Sequence, residues 1–395
     1  MQVLSNSHSS ALPSRQIVWL LAVSCGIVVA NIYYSQPLLA LIGPALHMRP
    51  RAESLIVSLT QLGYASGLVF LVPLGDLLEN RRLVVVTVAA AILPLLLAGL
   101  AWNGQVMLVV SALIGLTSVA VQMLIPIAAH LTPESSRGRI VGLVTSGLLF
   151  GILFSRPIAS MIASTFSWRL VFFISAAVMA GLAILLRRAL PYRKPEANHH
   201  YGALLVSLFS LPLRFPILRQ RAAYQAAAFA GFSLFWTGAP LFLTHEFGFT
   251  QWGVALFALA GAAGAFAAPA AGHLADRGFT KAGTLTSLVG VTVAFGIAAA
   301  GAVLHSVLVL ALAAIVLDAA VQTSLVLGQR SIYVLAPELR SRMNGIFMAM
   351  FFLGGAVGSA VTGPLLANGS WMQLCMVGAL LPLFALGYFL WSSCR

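Results

Sequence analysis

L-T-P-E-S-S-R-G-R at Leu131–Arg139 and L-A-P-E-L-R-S-R at Leu335–Arg342 are two versions of one loop. Each opens an apolar run that carries two glycines nine residues apart, Gly142 with Gly151 and Gly345 with Gly354. Seventeen residues beyond the second glycine each run reaches a tryptophan, Trp168 in one and Trp371 in the other. Upstream, S-V-A-V-Q at Ser118–Gln122 answers D-A-A-V-Q at Asp318–Gln322. A repeat whose period is near half of a 395-residue chain predicts two similar halves. The comparison also exposes a difference: where one half has Ser118, the other has Asp318.

Sixty per cent hydrophobic residues against eight per cent charged, with a mean hydropathy of +0.98, exclude an ordinary soluble globule. The net charge of +13 would suggest nucleic acid if it covered a wetted surface. Here the arginines sit in short loops between apolar runs, so the expected partner is a lipid bilayer and no nucleic acid. Cys25, Cys375 and Cys394 lack metal-binding or paired spacing and read as small apolar fillers. The first apolar run follows Arg15, is too long for a signal peptide and lacks a small-residue cleavage site. No P-loop, H-E-x-x-H, G-x-S-x-G or ATP-binding domain is present, so an enzyme, a cofactor or a metal site is not expected.

About 20 apolar residues in helix span a bilayer core. Twelve such runs fall near 17–42, 54–77, 83–102, 106–130, 140–164 and 168–187, then 222–245, 252–274, 282–304, 306–329, 342–367 and 371–392. All are expected to be helices, because lipid cannot satisfy an open strand edge. The fold class is therefore an all-α membrane protein of twelve transmembrane helices in two pseudo-symmetric six-helix bundles. Residues 1–187 would form the first bundle and 222–395 the second, with 188–221 a basic linker whose Ala203–Leu213 lies along the membrane interface. If the N-terminus is cytoplasmic, eighteen of the 22 Lys and Arg residues fall on the cytoplasmic side and three (Arg49, Arg51, Arg169) opposite. That asymmetry predicts both ends in the cytoplasm. Small residues at steps of four, Gly147, Gly151, Ser155 and Ala159 in one run and Gly354, Gly358 and Thr362 in another, mark close helix crossings. Trp168 and Trp371 are expected as interfacial anchors, and Glu53 and Glu246 as solvated span ends.

Two full charges lie inside the spans, Arg156 in the fifth and Asp318 in the tenth. Each costs at least about 2.5–3.5 kcal/mol at mid-bilayer, so each is expected to face a cavity or a partner. They can form a buried pair that only orders the helices, or they can serve transport. A carboxylate between a dry environment and a guanidinium can load and release a proton, which makes Asp318 and Arg156 the candidate proton-coupling residues. The polar residues Asn31, Tyr33, Tyr34 and Gln36 in the first run suit the wall of a wet cavity. Gln61, Tyr64, Gln122, Trp236, Gln322 and Gln329 in other runs do likewise, and all ten are candidate substrate-binding residues. An interhelical hydrogen bond is the competing role for each.

P-L-G-D-L-L-E-N-R-R at Pro73–Arg82 is similar to the loop signature G-x-x-x-D-R-x-G-R-R of the major facilitator superfamily. Asp76, Arg81 and Arg82 match it, while Val72, Leu77 and Glu79 depart from it. G-H-L-A-D-R-G at Gly272–Gly278 repeats the motif in the second half. N-I-Y-Y-S-Q-P-L-L, D-A-A-V-Q and R-S-R-M-N-G resemble more narrowly the YnfM-type transporters of bacteria, grouped with arabinose-efflux and drug:proton antiporter-like proteins. The resemblance implies alternating access around a site between the halves. It also implies gating contacts of Asp76 with the start of span eleven near Arg342, and of Asp276 with the start of span five near Arg139. Arg81, Arg82 and Arg277 belong to the same gating set. Such contacts are expected only when the cytoplasmic side is closed. The antiporter G-P pair of span five is replaced by Arg156-Pro157. The implied function is a proton-coupled secondary transporter exporting small molecules from the bacterial inner membrane as a monomer. The alternative is a proton-coupled importer or exchanger of a small organic anion.

Overall fold

Without water to bond to, the backbone satisfies itself in helices, and no strand occurs among the described residues. The computed structural model describes residues 15–195, 200–336 and 339–393, without the side chains at 262, 265, 266, 268, 269, 274–276 and 393. Pro337, Glu338, Cys394 and the Asp276 side chain, singled out in the sequence, lie outside the described residues.

Among the described residues, ten helices are long and apolar enough to cross a membrane. They are span two (Pro50–Asp76), span three (Asn80–Gly99), span four (Gly104–His130), span five (Glu134–Thr165) and span six (Trp168–Ala189). The second bundle supplies span seven (Pro216–Glu246), span nine (Thr280–Val303), span ten (Val307–Tyr333), span eleven (Arg340–Asn368) and span twelve (Trp371–Ser392). Two more spans are broken. Span one runs as Arg15–Ala30, a turn, a 3-10 stretch at Gln36–Leu38 and Leu39–Ala45. Span eight runs as Gln251–Ala262, a 3-10 stretch at Ala263–Phe266 and Ala267–Asp276. The short loops cap helices with their own side chains. Asn103, Ser167, Thr250 and Ser306 each accept from a backbone N–H of the turn that follows.

The small-residue stripes pack as their spacing requires. A Cβ at Gly147 would strike the Ala22 backbone, and one at Gly151 the Gly26 backbone, so span five lies directly on span one. Gly354 and Gly358 hold span eleven against Ala226 and Ala230 of span seven in the same way. Both expected tryptophan anchors are instead buried. Trp371 donates its indole N–H to the Ala298 carbonyl at 3.2 Å and stacks on Phe242, while Trp168 packs edge-on to Phe172. Each opens its helix facing inward, so the rings fill interhelical space.

The bundles meet along span two against span eleven, and span five against the Gln251–Ala262 half of span eight. On the side away from the linker, the distal side, the joint is sealed. Ser359 Oγ donates to the Ser54 carbonyl at 3.0 Å, Gly363 N–H donates to Ser54 Oγ at 3.0 Å, and Arg51 bonds Asn368. Glu53, expected in solvent, is buried in this joint against Gly43, whereas Glu246 is exposed. On the linker side, span five stands clear around Gly138 and Gly142, with nothing within 4 Å of a Cβ placed at either. The linker carries the helix Tyr201–Arg214, which buries Leu204, Leu208 and Leu211 and leaves Val206, Phe209 and Leu213 exposed.

Candidate functional site

The two helix breaks flank one layer of the interbundle joint. In span one, Pro37 enters the 3-10 stretch without an N–H to give, and the chain leaves α-helix beside Arg156. In span eight, a Cβ at Gly264 would lie 2.5 Å from Asp318 Cβ and 2.7 Å from the Ala319 nitrogen, so only glycine allows this approach to span ten. Discontinuous helices at such depth are tolerated where protein or a cavity surrounds them.

Arg156 comes from the first bundle and Asp318 from the second, at 4% and 7% exposure. They form no direct ion pair; Trp236 stands between them. Its indole N–H donates to Asp318 Oδ1 at 2.8 Å, and its ring centroid lies 4.6 Å from the Arg156 guanidinium carbon. Tyr33 and Phe232 face the same guanidinium at 5.1 and 5.2 Å. Desolvated contacts of this kind are worth up to about 2 kcal/mol. Arg156 Nε donates to Gln36 Oε1 at 2.9 Å. Arg156 Nη2 and Gln36 Nε2 are buried without a hydrogen-bond partner. An unmet buried donor costs about 1–3 kcal/mol, so both nitrogens gain from any acceptor that reaches them.

One helical turn toward the linker side lies a cavity of about 60 Å³. It gathers four of the sequence candidates, Tyr33, Tyr64, Gln122 and Gln322, from spans one, two, four and ten. Gln122 Nε2 donates to the Tyr64 hydroxyl at 3.3 Å. The rest of the wall is apolar, with Phe229, Phe232, Phe351 and Phe352 among aliphatic side chains and Phe229 stacked on Phe351 at 3.6 Å. These phenylalanines were not singled out in the sequence, where an apolar ring in a membrane helix looks the same whether it faces lipid, core or cavity. Tyr33 and Phe232 belong to both the cavity wall and the Arg156 layer, and so connect the two.

Other sequence candidates are placed elsewhere. Gln61 exchanges hydrogen bonds with Ser233 across the joint, at 2.8 and 3.2 Å, which uses its amide for interbundle packing and takes it off the cavity wall. Gln329 donates to Asn344 Oδ1 at 3.1 Å, well toward the linker side of Asp318. Asn31 accepts from Ser175 and keeps Nδ2 unpartnered, and Tyr34 is half-buried. Among the gating candidates, Asp76 lies 3.8 Å from Arg342 Nε. This contact coexists with a sealed distal side, so it does not by itself require an outward-open state. Arg81 donates to the Leu190 carbonyl at 3.4 Å, while Arg139 and Arg277 are exposed. Glu79, a departure from the loop signature, caps the next helix by accepting from Arg81 N and Arg82 N. It also accepts from Arg193 N at 3.3 Å, tying the linker to the loop.

The Major Facilitator Superfamily model matches residues 21–317 and 224–393. The chain belongs to this superfamily. The transporter is similar to Uncharacterized transporter YgaY of Escherichia coli O157:H7, 38% identical over 94% of each chain. It is also similar to Probable transporter SCO4007 of Streptomyces coelicolor, 32% identical over 94% of this chain and 86% of that one. Among solved structures, the nucleoside transporter NupG superposes with a TM-score of 0.74 at 16% identity, covering 95% of this chain and 98% of the other. A bacterial homologue of the human lysosomal transporter Spinster, inward-facing and occupied, gives 0.74 at 15% identity over 97% of each. At those identities the structures show the fold alone. The protein is an integral membrane transporter of the superfamily type, and not an enzyme.

Proposed function

We propose that the transporter is proton-coupled and exports small molecules across the bacterial inner membrane as a monomer, with both chain ends in the cytoplasm. Residues 1–187 and 222–395 are the bodies that rock, and 188–221 connects them. The observation that carries this reading is the layer in which an acid and a base from opposite bundles meet across Trp236 beside an interbundle cavity. A movement of either bundle separates Arg156 from Trp236 and Asp318, and so changes the electrostatic surroundings of the carboxylate as access alternates. That coupling gives Asp318 its proton-carrying role and Arg156 its control over it. Tyr33, Tyr64, Gln122 and Gln322 then contact substrate. Asp76 with Arg342, and the loop arginines, bias the closed linker side. The arginine asymmetry supports the cytoplasmic ends. Kinship to the YnfM-type, drug:proton antiporter-like branch rests on the motifs quoted above.

The second reading is transport of a small organic anion, favoured by the unpartnered Arg156 Nη2 and Gln36 Nε2. Thermal stabilisation of the purified protein by a panel of metabolites and drugs, followed by uptake into proteoliposomes under an imposed pH gradient, tests both. Neutral or cationic compounds moved against their gradient support export by proton exchange. Carboxylates alone support the second reading, and no gradient-driven movement of any stabilising compound refutes coupling.

A further inference from the structure

On the linker side of the second bundle, away from the transport layer, a cleft of about 600 Å³ opens between the ends of spans seven, nine and ten. Its polar wall includes Arg221, Arg330, Gln220 and Thr280, and no acidic side chain among the described residues lines it. Arg221 uses Nη1 on Thr284 Oγ1, and its other donors carry no bond to the described residues. Two long helices, Pro216–Glu246 and Thr280–Val303, begin here and point their positive ends at the cleft. The outer lip is apolar and wet, with Ile217 44% and Val334 75% exposed.

Depth identifies the occupant. A helix of 31 residues, the length of span seven, is about 46 Å long against a hydrocarbon core of about 30 Å. Its first turns, with Gln220 and Arg221, therefore stand at headgroup level. A ligand at that level must present negative charge to Arg221 and hydrocarbon to the lip. We propose that this cleft binds the phosphate headgroup of an anionic phospholipid, its acyl chains running down past Ile217 and Val334. Zwitterionic lipid places a cation where the cleft already holds cations, so the site discriminates by charge.

The test uses the full-length transporter in neutral detergent, with phosphatidylglycerol, phosphatidylcholine or inorganic phosphate added separately, reading thermal midpoint and lipid retention by native mass spectrometry. Phosphatidylglycerol raises the midpoint and stays bound, and phosphatidylcholine does so much less. Arg221→Gln, which keeps a donor for Thr284, requires about fivefold more phosphatidylglycerol for the same shift, and Arg221→Lys restores most of it. Val334→Asp, on the exposed lip and outside all packing, weakens phosphatidylglycerol retention too and serves if Arg221→Gln folds poorly. Equal stabilisation by phosphatidylcholine overturns the proposal, as does an Arg221→Gln or Val334→Asp protein with wild-type response. Full stabilisation by inorganic phosphate would make the cleft a free-anion site and overturn its assignment to lipid.

Discussion

Gly363→Ala is a perturbation whose effect can be worked from the joint itself. Gly363 is on span eleven, and a Cβ there would stand 2.5 Å from the Arg51 carbonyl oxygen and 2.6 Å from Ser54 Oγ, both on span two. The obstacle is backbone, which cannot swing aside as a long side chain can. Overpacking of this order costs about 1–3 kcal/mol. The cost exists only while the two bundles touch on the distal side. The gain in helix propensity from glycine to alanine, about 1 kcal/mol, applies to both states and cancels. The equilibrium should therefore move away from the distally sealed state by about 5- to 150-fold. Spin labels on cysteines at the exposed positions Arg49 and Ala367, in a cysteine-free background, report the change as a longer distance between the distal ends of spans two and eleven. An unchanged distance distribution in a variant that melts normally would refute the claim that this contact is state-specific.

Arg156→Ala strips the layer of its cation, removing its bond to Gln36 and its contacts with three rings, so the thermal midpoint should fall, by the equivalent of about 2–3 kcal/mol. Adding Asp318→Asn should restore part of that loss, and strictly additive midpoints would disprove coupling between the two residues. Trp236→Phe keeps a ring under Arg156 but removes the indole donor at 2.8 Å from Asp318. It should cost about 1.5–3 kcal/mol by denaturant melting, and an unchanged melt would remove the bond from the account. Glu79→Ala removes one of the two bonds that hold Arg193, leaving Asn80 N–H on its carbonyl at 2.9 Å, and should accelerate tryptic cleavage after Arg193, while a cleavage rate like the parent's would show the Glu79 tie to be idle.

The halves, the spans and the helix crossings were legible because lipid enforces helices and close crossings demand small residues at fixed steps. Gly147, Gly151, Gly354 and Gly358 could be read from spacing alone. The break in span eight could not, since Ala263–Phe266 lies in a run as apolar as any helix, and the polar cluster before Pro37 that marks the break in span one read equally well as the wall of a cavity. Arg156 and Asp318 stood out by their cost in lipid, but sequence left open whether they touch. The answer depends on Trp236, whose neighbours come from 82 residues away in span ten and from the other bundle. Buried Trp168, Trp371 and Glu53 show the same limit: a residue type has a usual depth, and only packing says which side of the helix it occupies. Gln61 looked like a cavity residue until Ser233 took its amide.

The central claim is that a proton bound at Asp318 drives the exchange of substrate. Asp318→Asn in proteoliposomes, assayed in parallel for gradient-driven accumulation and for counterflow of an identified substrate, tests it most directly. Accumulation should disappear and counterflow persist, because the bundles can still rock around a permanently neutral side chain. Accumulation at the wild-type level would place the coupling elsewhere and contradict the account.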